Sequence, residues 1–216
     1  MIQTWAADIT PLCESSIYRK YYNLVPDFRK EKADKIRDMQ GKTQSVGVWI
    51  LLMRMREAYG ISGETVFNLS HSGQYVLCSV DDGKGVFPEV KLGCDIEVAG
   101  EYNEKRQRLA ERFFSEGEVS YILSKKTEEE KRQAFYRLWV LKESFMKATR
   151  LGMKLDMRSF EVQFDSEDGA VLARQPEAIK DVWHYQEYEI EGIEAKIAVC
   201  STADEFGQPE MPQLFR

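Results

Sequence analysis

Apolar residues recur at helical spacing in the first third of the chain, and this predicts a largely helical segment over residues 27–58. The spacing is clearest from Gln44 to Tyr59, and Gly60 and Gly63 are expected to end the helix. A turn-like break is predicted at Ser70–Gly73, because small polar residues and a glycine follow each other there. Short apolar runs on either side predict strands at 66–69, 75–80 and 92–98.

The second half of the chain shows the same mixture of helical and strand-like patterns. Ser115 and Glu118 have the spacing of a capping box, which predicts a short helix over 119–125. The charged residues 125–132 are expected to be solvated, and the last dozen residues to form a loose tail. Further helices are predicted at 103–114 and 133–150, the latter closed by Gly152, and strands at 160–164, 184–190 and 195–200.

These elements predict an α+β fold, a mixed α/β chain in two lobes. Ala99-Gly100 is the expected boundary, which gives an N-terminal lobe at 1–99 and a C-terminal lobe at 100–216. The hydrophobic content of 43% and the aromatic content of 12% are typical of a folded globular protein.

Composition also excludes several classes of protein. The longest apolar run, Val46–Met53, is far shorter than the roughly 20 residues of a membrane span, and the first residues lack the pattern of a secretory signal. The four cysteines are widely spaced and form no CxxC pair, so a disulfide scaffold or a zinc site is not expected. We expect reduced thiols and a cytoplasmic protein.

Charge is unevenly distributed along the chain. Residues 19–56 contain ten Lys or Arg and four acids, whereas the whole chain has a net charge of −6. A basic segment on an acidic protein indicates a small anionic ligand more than a nucleic-acid groove, and no nucleic-acid-binding motif follows it. A solvated helix of mixed charge is the simpler interpretation of this segment taken alone.

The motif GCDIE at 93–97 lies in a predicted strand. Residues two apart in a strand point to one face, so Asp95 and Glu97 would lie together while Cys94 and Ile96 face the core. Two neighbouring carboxylates favour a hard divalent cation such as Mg²⁺. An ordinary exposed strand edge is the alternative for this motif alone.

The motif WVLKESFMK at 139–147 lies on the long predicted helix. Trp139, Glu143 and Lys147 are four residues apart and form one stripe. A surface ion pair is the usual meaning of such an acid and lysine. The adjacent tryptophan favours a partly sheltered site in which the pair acts as base and acid.

The motif FNLSHSG at 67–73 combines a strand with hydroxyl and imidazole groups. Ser70 and His71 offer hydrogen-bond donors to a phosphate, and His71 is one of two histidines in the chain. The motif lacks the GxSxG pattern of a nucleophile elbow. A simple turn is the alternative here.

In this order, and with RFFSEGE at 112–118, the motifs resemble the surfactin-synthetase-activating (Sfp) type of 4′-phosphopantetheinyl transferases. The resemblance runs from about Asp27 to Phe164 and is densest from Phe67 to Lys147. It implies two similar lobes related by a pseudo-two-fold, with the active site between them. It also implies transfer of the phosphopantetheinyl arm of coenzyme A to a serine of a carrier protein, with release of adenosine 3′,5′-bisphosphate.

The resemblance assigns roles to the acidic strand and the long helix. Asp95, Glu97 and Glu143 would bind Mg²⁺, with Mn²⁺ as an alternative metal. Glu143 would also take the proton of the acceptor serine, and Lys147 would contact the phosphate and neutralise the leaving group. Trp139 matches the tryptophan at the head of the family's helix.

The resemblance also assigns the nucleotide end of coenzyme A. His71, which completes the expected catalytic set, would contact the nucleotide phosphates together with Ser70. The 3′-phosphate needs further cations, and the basic segment supplies Lys30, Lys32 and Lys42 as candidates. Lys42 stands in KTQSVG, which resembles the family's basic-x-x-Ser-x-Gly helix start.

The expected partner is an acyl or peptidyl carrier protein. Arg112, Phe113 and Phe114 are candidates to meet its docking helix, although a core role for the two phenylalanines is favoured. The family's pseudo-two-fold makes a monomer sufficient, and no membrane partner is expected.

Two other functions remain open at this point. Many family members carry a Gly-Lys-Pro element that the segment Tyr59–Thr65 lacks. The alternative function is therefore that of a catalytically weakened relative, which binds coenzyme A or a carrier protein without turnover. A magnesium-dependent nucleotide phosphohydrolase would explain the acids but not the order of the motifs.

Overall fold

The computed structural model describes residues 1–61, 64–84, 89–165 and 169–216. In these residues, helices alternate with antiparallel strands, which confirms the mixed α/β fold. None of the helices described here is long and apolar enough to cross a membrane. The chain divides into two compact units, Met1–Val86 together with Glu205–Arg216, and Phe87–Asp204.

The first unit is a three-stranded antiparallel sheet covered by helices. The strand order is β1-β3-β2, and the long helix α3 packs against all three strands. Its core includes Ala7 on β1, Leu51 on α3 and Cys78 on β3, which are fully buried. The elements are β1 (Ile2–Asp8), α1 (Ser15–Tyr22), α2 (Asp27–Asp34), α3 (Met39–Tyr59), β2 (Phe67–Ser72) and β3 (Tyr75–Asp81).

The predicted helix over residues 27–58 is in fact two helices. Asp38 interrupts it: its side chain accepts a hydrogen bond from the Gly41 amide and caps the start of α3. Gly60 ends α3 in the left-handed conformation at φ 66°, as expected of a C-terminal glycine. The second predicted stop, Gly63, lies outside the described residues.

The predicted break at Ser70–Gly73 is wrong for its first three residues, which belong to β2. Ser72 pairs with Tyr75 of β3, so the hairpin turn is Gly73-Gln74. The side chains of Gln40 and Gln44 on α3 donate hydrogen bonds to the Gly73 carbonyl at 3.2 and 2.9 Å. These contacts satisfy a turn carbonyl and tie the hairpin to α3.

The second unit contains a three-stranded antiparallel sheet of order β4-β8-β7 and the antiparallel pair β5-β6. The long helix α6 packs on both β4 and β8. Its elements are β4 (Leu92–Val98), α4 (Glu104–Phe113), α5 (Glu116–Leu123), α6 (Glu128–Thr149), β5 (Glu161–Asp165), β6 (Gly169–Arg174), β7 (His184–Tyr188) and β8 (Ala195–Ser201).

Capping boxes set the starts of both α5 and α6. The predicted box of Ser115 and Glu118 is confirmed. Thr127 and Glu130 form a second box, so α6 begins at Glu128 and includes most of the segment expected to be a solvated linker. Three acids in its first turn favour this early start, because they interact well with the positive end of the helix.

The division into units differs from the predicted lobes in its boundary. Strand β4 lies in the second unit, since its full length pairs with β8, from Leu92 opposite Ser201 to Val98 opposite Ala195. The C-terminal segment joins the first unit instead of the second. Both differences arise from strand pairing between residues far apart in the chain. The pseudo-two-fold stays a prediction.

The last dozen residues are not a loose tail. They run parallel to β1, with bridges between Ile2 and Phe206 and between Trp5 and Glu210. Phe215 is buried against the Tyr21 ring at 5.1 Å, edge to face, and the Tyr21 hydroxyl donates to the Leu214 carbonyl at 2.6 Å. The segment therefore completes one edge of the sheet and closes part of the core of the first unit.

A Phe215→Ala variant is expected to lower the free energy of unfolding by about 3 kcal/mol, because it leaves a cavity beside Tyr21. Urea denaturation would measure the change. Gln213→Ala is the matched control: Gln213 is exposed in the same segment, so the expected change is below about 0.5 kcal/mol. Equal stability of the two variants would contradict a packed C-terminal segment.

Candidate active site on strand β4 and helix α6

Strand β4 lies unusually close to helix α6, and Gly93 allows this. A Cβ at residue 93 would fall within 3.0 Å of the Ser144 carbonyl oxygen and the Ala148 amide nitrogen. Both are main-chain atoms, so neither can rotate away. The glycine of GCDIE is therefore required by backbone packing, and this packing brings the acids of β4 to the side chains of α6.

Asp95 and Lys147 form an ion pair at this contact. The Lys147 Nζ lies 2.7 Å from Asp95 Oδ1 and also donates to the Cys94 carbonyl at 3.2 Å. The Asp95 side chain is 5% exposed and that of Lys147 is 28% exposed. Burial alone would lower the pKa of Lys147, but the Asp95 carboxylate outweighs it and the pKa is raised. Lys147 therefore stays charged.

Glu143 lies one helical turn before Lys147 and is half-buried. Burial raises the pKa of Glu143, and the Asp95 carboxylate raises it further, while Lys147 acts in the opposite direction. Two carboxylates and one ammonium thus share this site. The predicted stripe on α6 places the acid and the lysine on the face that meets β4.

Glu97 follows Asp95 on the same face of β4, as predicted, and Cys94 and Ile96 are fully buried. Across the sheet, Glu97 lies opposite Lys196 of β8. Within the described ranges, no three His, Cys, Asp or Glu side chains are close enough together to hold a metal ion. The three predicted metal ligands are therefore not gathered into a preformed cluster.

The donor set nevertheless fits magnesium in the form that this ion usually takes. Mg²⁺ is commonly bound by one or two carboxylates, with waters and substrate phosphates completing its six positions. Asp95 and Glu143 offer two carboxylates that interact electrostatically, and a cation would relieve their repulsion. Oxygen donors of this kind suit a hard divalent cation better than a thiophilic one.

Trp139, at the head of the stripe, packs in an aromatic cluster. Its ring is stacked on Phe135 at 5.7 Å and lies 6.1 Å from Phe114 and 6.5 Å from Phe113. Phe114 is buried and Phe113 is partly buried in the core of the second unit, which confirms the favoured core role for both.

The histidine motif lies in the first unit. Ser70 is buried and His71 is exposed, since adjacent residues of a strand point to opposite faces. The two side chains therefore do not face one anion on the same side of the strand. His71 is the accessible member of the pair.

The three candidate lysines occupy two helices of the first unit. Lys30 pairs with Asp27 at 3.1 Å on α2, and Lys32 on the same helix is exposed. Lys42 is half-buried in the first turns of α3. Sequence reasoning counted Arg29 only as part of the basic segment, yet it is buried, with its guanidinium 4.3 Å over the Trp49 ring.

A second residue was missed altogether. Lys142 precedes Glu143 on α6 and is fully buried in an ion pair with Glu118 of α5, with its Nζ at 2.7 Å from both carboxylate oxygens. A lysine within an apolar stretch of a helix is the one sequence signal that points to it. The partner is 24 residues away and has no local signature.

Comparison with known proteins agrees with this architecture. The sequence model of the 4′-phosphopantetheinyl transferase superfamily matches residues 91–200, which include β4, α6 and the residues of the site. The chain is 38% identical over 141 residues to the 4′-phosphopantetheinyl transferase ffp of Bacillus subtilis, and 35% identical over 141 residues to the 4′-phosphopantetheinyl transferase Sfp of Bacillus subtilis strain 168. The 4′-phosphopantetheinyl transferase psf-1 of Bacillus pumilus is 39% identical over 111 residues.

The chain belongs to the 4′-phosphopantetheinyl transferase superfamily. The two Bacillus subtilis alignments cover 65% of this chain and 56% of each relative, and the Bacillus pumilus alignment covers 51% and 42%. The matched part therefore spans little more than half the length of the two Bacillus subtilis relatives and less than half that of the Bacillus pumilus relative. The family predicted from the sequence motifs is therefore confirmed. The roles of the individual residues stay predictions.

Proposed function

We propose that this protein transfers the 4′-phosphopantetheinyl group of coenzyme A to a serine of an acyl or peptidyl carrier protein, in a reaction that depends on Mg²⁺. The observation that carries the proposal is the cluster of Asp95, Glu143 and Lys147, built by the close packing of β4 on α6. This cluster lies within the residues matched by the superfamily.

Glu143 is the proposed base. It would accept the proton of the carrier serine as the serine oxygen attacks the phosphorus that bears the pantetheine arm. One P–O bond forms, the bond to the bridging oxygen breaks, and adenosine 3′,5′-bisphosphate leaves with the electron pair. A carboxylate is a weak base for a hydroxyl, but its raised pKa brings it closer to the value that proton transfer needs.

Lys147 is the proposed phosphate ligand. Its charge is secured by Asp95, and its side chain is 28% exposed. In the proposal, the ammonium contacts an incoming anion in addition to its protein partners. Charge develops on the bridging and terminal oxygens as the P–O bond breaks, and a fixed cation stabilises it. When bound by Asp95 and Glu143, with Glu97 as a third candidate, Mg²⁺ would supply further neutralisation of the pyrophosphate.

The first unit is proposed to hold the nucleotide end of coenzyme A. His71 and Lys42 are the leading candidates, because both are accessible and α3 packs on the strand that carries His71. Ser70, Lys30 and Lys32 complete the proposed set of residues.

The proposal extends to a cytoplasmic monomer. All four cysteines are free thiols, and three of them are buried. Reduced buried thiols are typical of proteins from the cytoplasm.

Intact-protein mass spectrometry tests the reaction directly. Apo carrier proteins from fatty-acid, polyketide and peptide synthetases would each be incubated with the protein, coenzyme A and Mg²⁺, with EDTA as the control. A metal-dependent mass gain of one phosphopantetheinyl group is expected on at least one carrier. No gain on any carrier from a folded sample, with coenzyme A binding retained, would favour the relative that binds without turnover. Hydrolysis of coenzyme A without a carrier would favour a phosphohydrolase.

Lys42→Ala is expected to raise the KM for coenzyme A about tenfold while kcat stays within about twofold, because one charge-assisted contact to a phosphate is lost. Initial rates at varied coenzyme A concentration would measure both constants. Lys35→Ala is the matched control, since Lys35 is an exposed lysine of the same basic segment without a proposed contact. A KM for the Lys42 variant equal to that of the control would remove Lys42 from the site.

A further inference from the structure

Lys142, the residue before the proposed base Glu143, forms a fully buried ion pair with Glu118 in the core of the second unit. Lys142 and Glu118 are 0% and 1% exposed. The Lys142 ammonium donates to both Glu118 oxygens at 2.7 Å and to the Phe160 carbonyl at 3.0 Å, which accounts for all three of its N–H groups.

The carboxylate is equally well satisfied. Besides the ammonium, Glu118 accepts hydrogen bonds from the backbone amides of Ser115 at 2.8 Å and Val162 at 2.9 Å. One ion pair therefore joins the start of α5, the middle of α6 and the start of β5. Two aromatic rings flank the pair: the ammonium lies 4.2 Å from the centre of the Phe160 ring and 5.7 Å from that of Phe114.

Such a buried ion pair adds little to the stability of the fold, but it fixes the relative positions of the elements that it joins. Two buried charges pay a large desolvation cost, and an apolar pair of similar volume is often as stable. The three directional hydrogen bonds of the Lys142 ammonium, however, are all satisfied at one position of α6, and two backbone amides hold their acceptor Glu118 in place. Fixing Lys142 fixes the rotation of the helix about its axis, and successive residues of a helix are about 100° apart, so it also fixes the direction of Glu143.

We propose that the Glu118–Lys142 pair is a positioning device that aims Glu143 at Asp95 for phosphopantetheinyl transfer. This inference rests on the proposed function of Glu143. A catalytic group must be held within about 0.5 Å and 10–20° of its productive geometry. The close packing at Gly93 sets the separation of β4 and α6, and the ion pair sets the rotation of α6.

The double variant Glu118→Gln/Lys142→Met tests this inference. Glutamine can keep its one oxygen as the acceptor of the Ser115 amide, which preserves the capping box, and its NH2 group then faces the Val162 amide and removes that hydrogen bond. Methionine preserves the lysine's aliphatic volume. We expect a folded protein whose kcat falls at least about tenfold, while the KM for coenzyme A stays within about twofold, because the partners of the pair are not proposed ligands.

The control removes another ion pair from the same helix. Arg137 on α6 pairs with Glu187 of β7 at 2.6 and 2.7 Å, and these side chains are about one-third exposed. Arg137→Met/Glu187→Gln makes the same chemical change and is expected to leave kcat within about twofold of the wild type. A comparable loss of kcat in both double variants would overturn the inference, as would unchanged kcat in a folded Glu118/Lys142 variant.

Crystal structures of the wild type and the Glu118/Lys142 variant give a readout that does not depend on activity. We expect α6 to rotate or shift so that the Glu143 carboxylate moves by more than about 0.5 Å relative to Asp95. Superposition within that limit would overturn the inference. A wild type that transfers nothing would instead refute the proposed function, and the crystallographic comparison would still decide whether the pair positions Glu143.

Discussion

Replacing Glu143 by glutamine is expected to lower kcat for carrier modification on the order of 10³-fold and to leave the fold intact. The amide preserves the shape of the side chain but can neither accept the serine proton nor bind a cation with a full charge. Rates from intact-protein mass spectrometry at saturating coenzyme A and carrier would measure the loss.

The stability of the Glu143→Gln variant shows whether its loss of activity comes from the missing carboxylate or from misfolding. Burial and Asp95 raise the pKa of Glu143, so the ionised carboxylate is less favourable in the native state than in the unfolded chain. Removing that charge is expected to leave the free energy of unfolding unchanged or slightly higher, as is common for residues kept for function. A marked fall in stability would leave misfolding as the explanation for lost activity.

Glu128→Gln is the control for the same chemical change elsewhere on α6. Glu128 lies in the first turn of the helix and its side chain is 68% exposed beside Lys131. Its loss is expected to change kcat by less than about twofold. Near-normal transfer by the Glu143 variant, with the Glu128 variant also normal, would remove Glu143 from the role of base.

Local signals predicted much of the fold. The alternation in GCDIE correctly placed Asp95 and Glu97 on one face of a strand, and the Ser115–Glu118 capping box is present as predicted. The helix after this box was predicted at 119–125, whereas α5 runs over Glu116–Leu123, because the residue that follows the N-cap is already helical. The start of α6 was placed too late, because a run of charged residues was interpreted as a linker although Thr127 and Glu130 form an equivalent box. Local signals are therefore sufficient to place a helix start when the side chains that can cap the helix are considered.

The contacts that assemble the site are not local, and the sequence alone could not supply them. Asp95 meets Lys147 across 52 residues, and Lys142 meets Glu118 across 24. The resemblance to a known family named Asp95 as a metal ligand and Lys147 as a phosphate contact, but it did not predict the ion pair between them. The sequence spacing predicted neither the Lys142–Glu118 pair nor the pairing of the C-terminal segment with β1, because both depend on tertiary packing.

Gly93→Ala is expected to lower both stability and activity, and the cause is a steric clash. The added methyl group would meet the main chain of α6 at Ser144 and Ala148 at a distance that Cβ atoms essentially never show. The helix must move away from β4, which breaks the packing of both and separates Lys147 from Asp95. We expect a loss of about 3 kcal/mol in the free energy of unfolding, at the upper end of the cost of overpacking, together with loss of transfer activity.

A second substitution tests whether the main chain is the obstacle. In Gly93→Ala/Ala148→Gly the side chain of residue 148 is removed, yet its amide nitrogen and the Ser144 carbonyl remain in place. Stability and activity are therefore expected to stay as low as in the single variant. Recovery in the double variant would show that side-chain crowding is the obstacle, and a single variant as stable as the wild type would show that β4 and α6 are not packed this closely. Either outcome would remove the structural reason for the glycine in GCDIE and, with it, the geometry on which the proposed base and phosphate ligand depend.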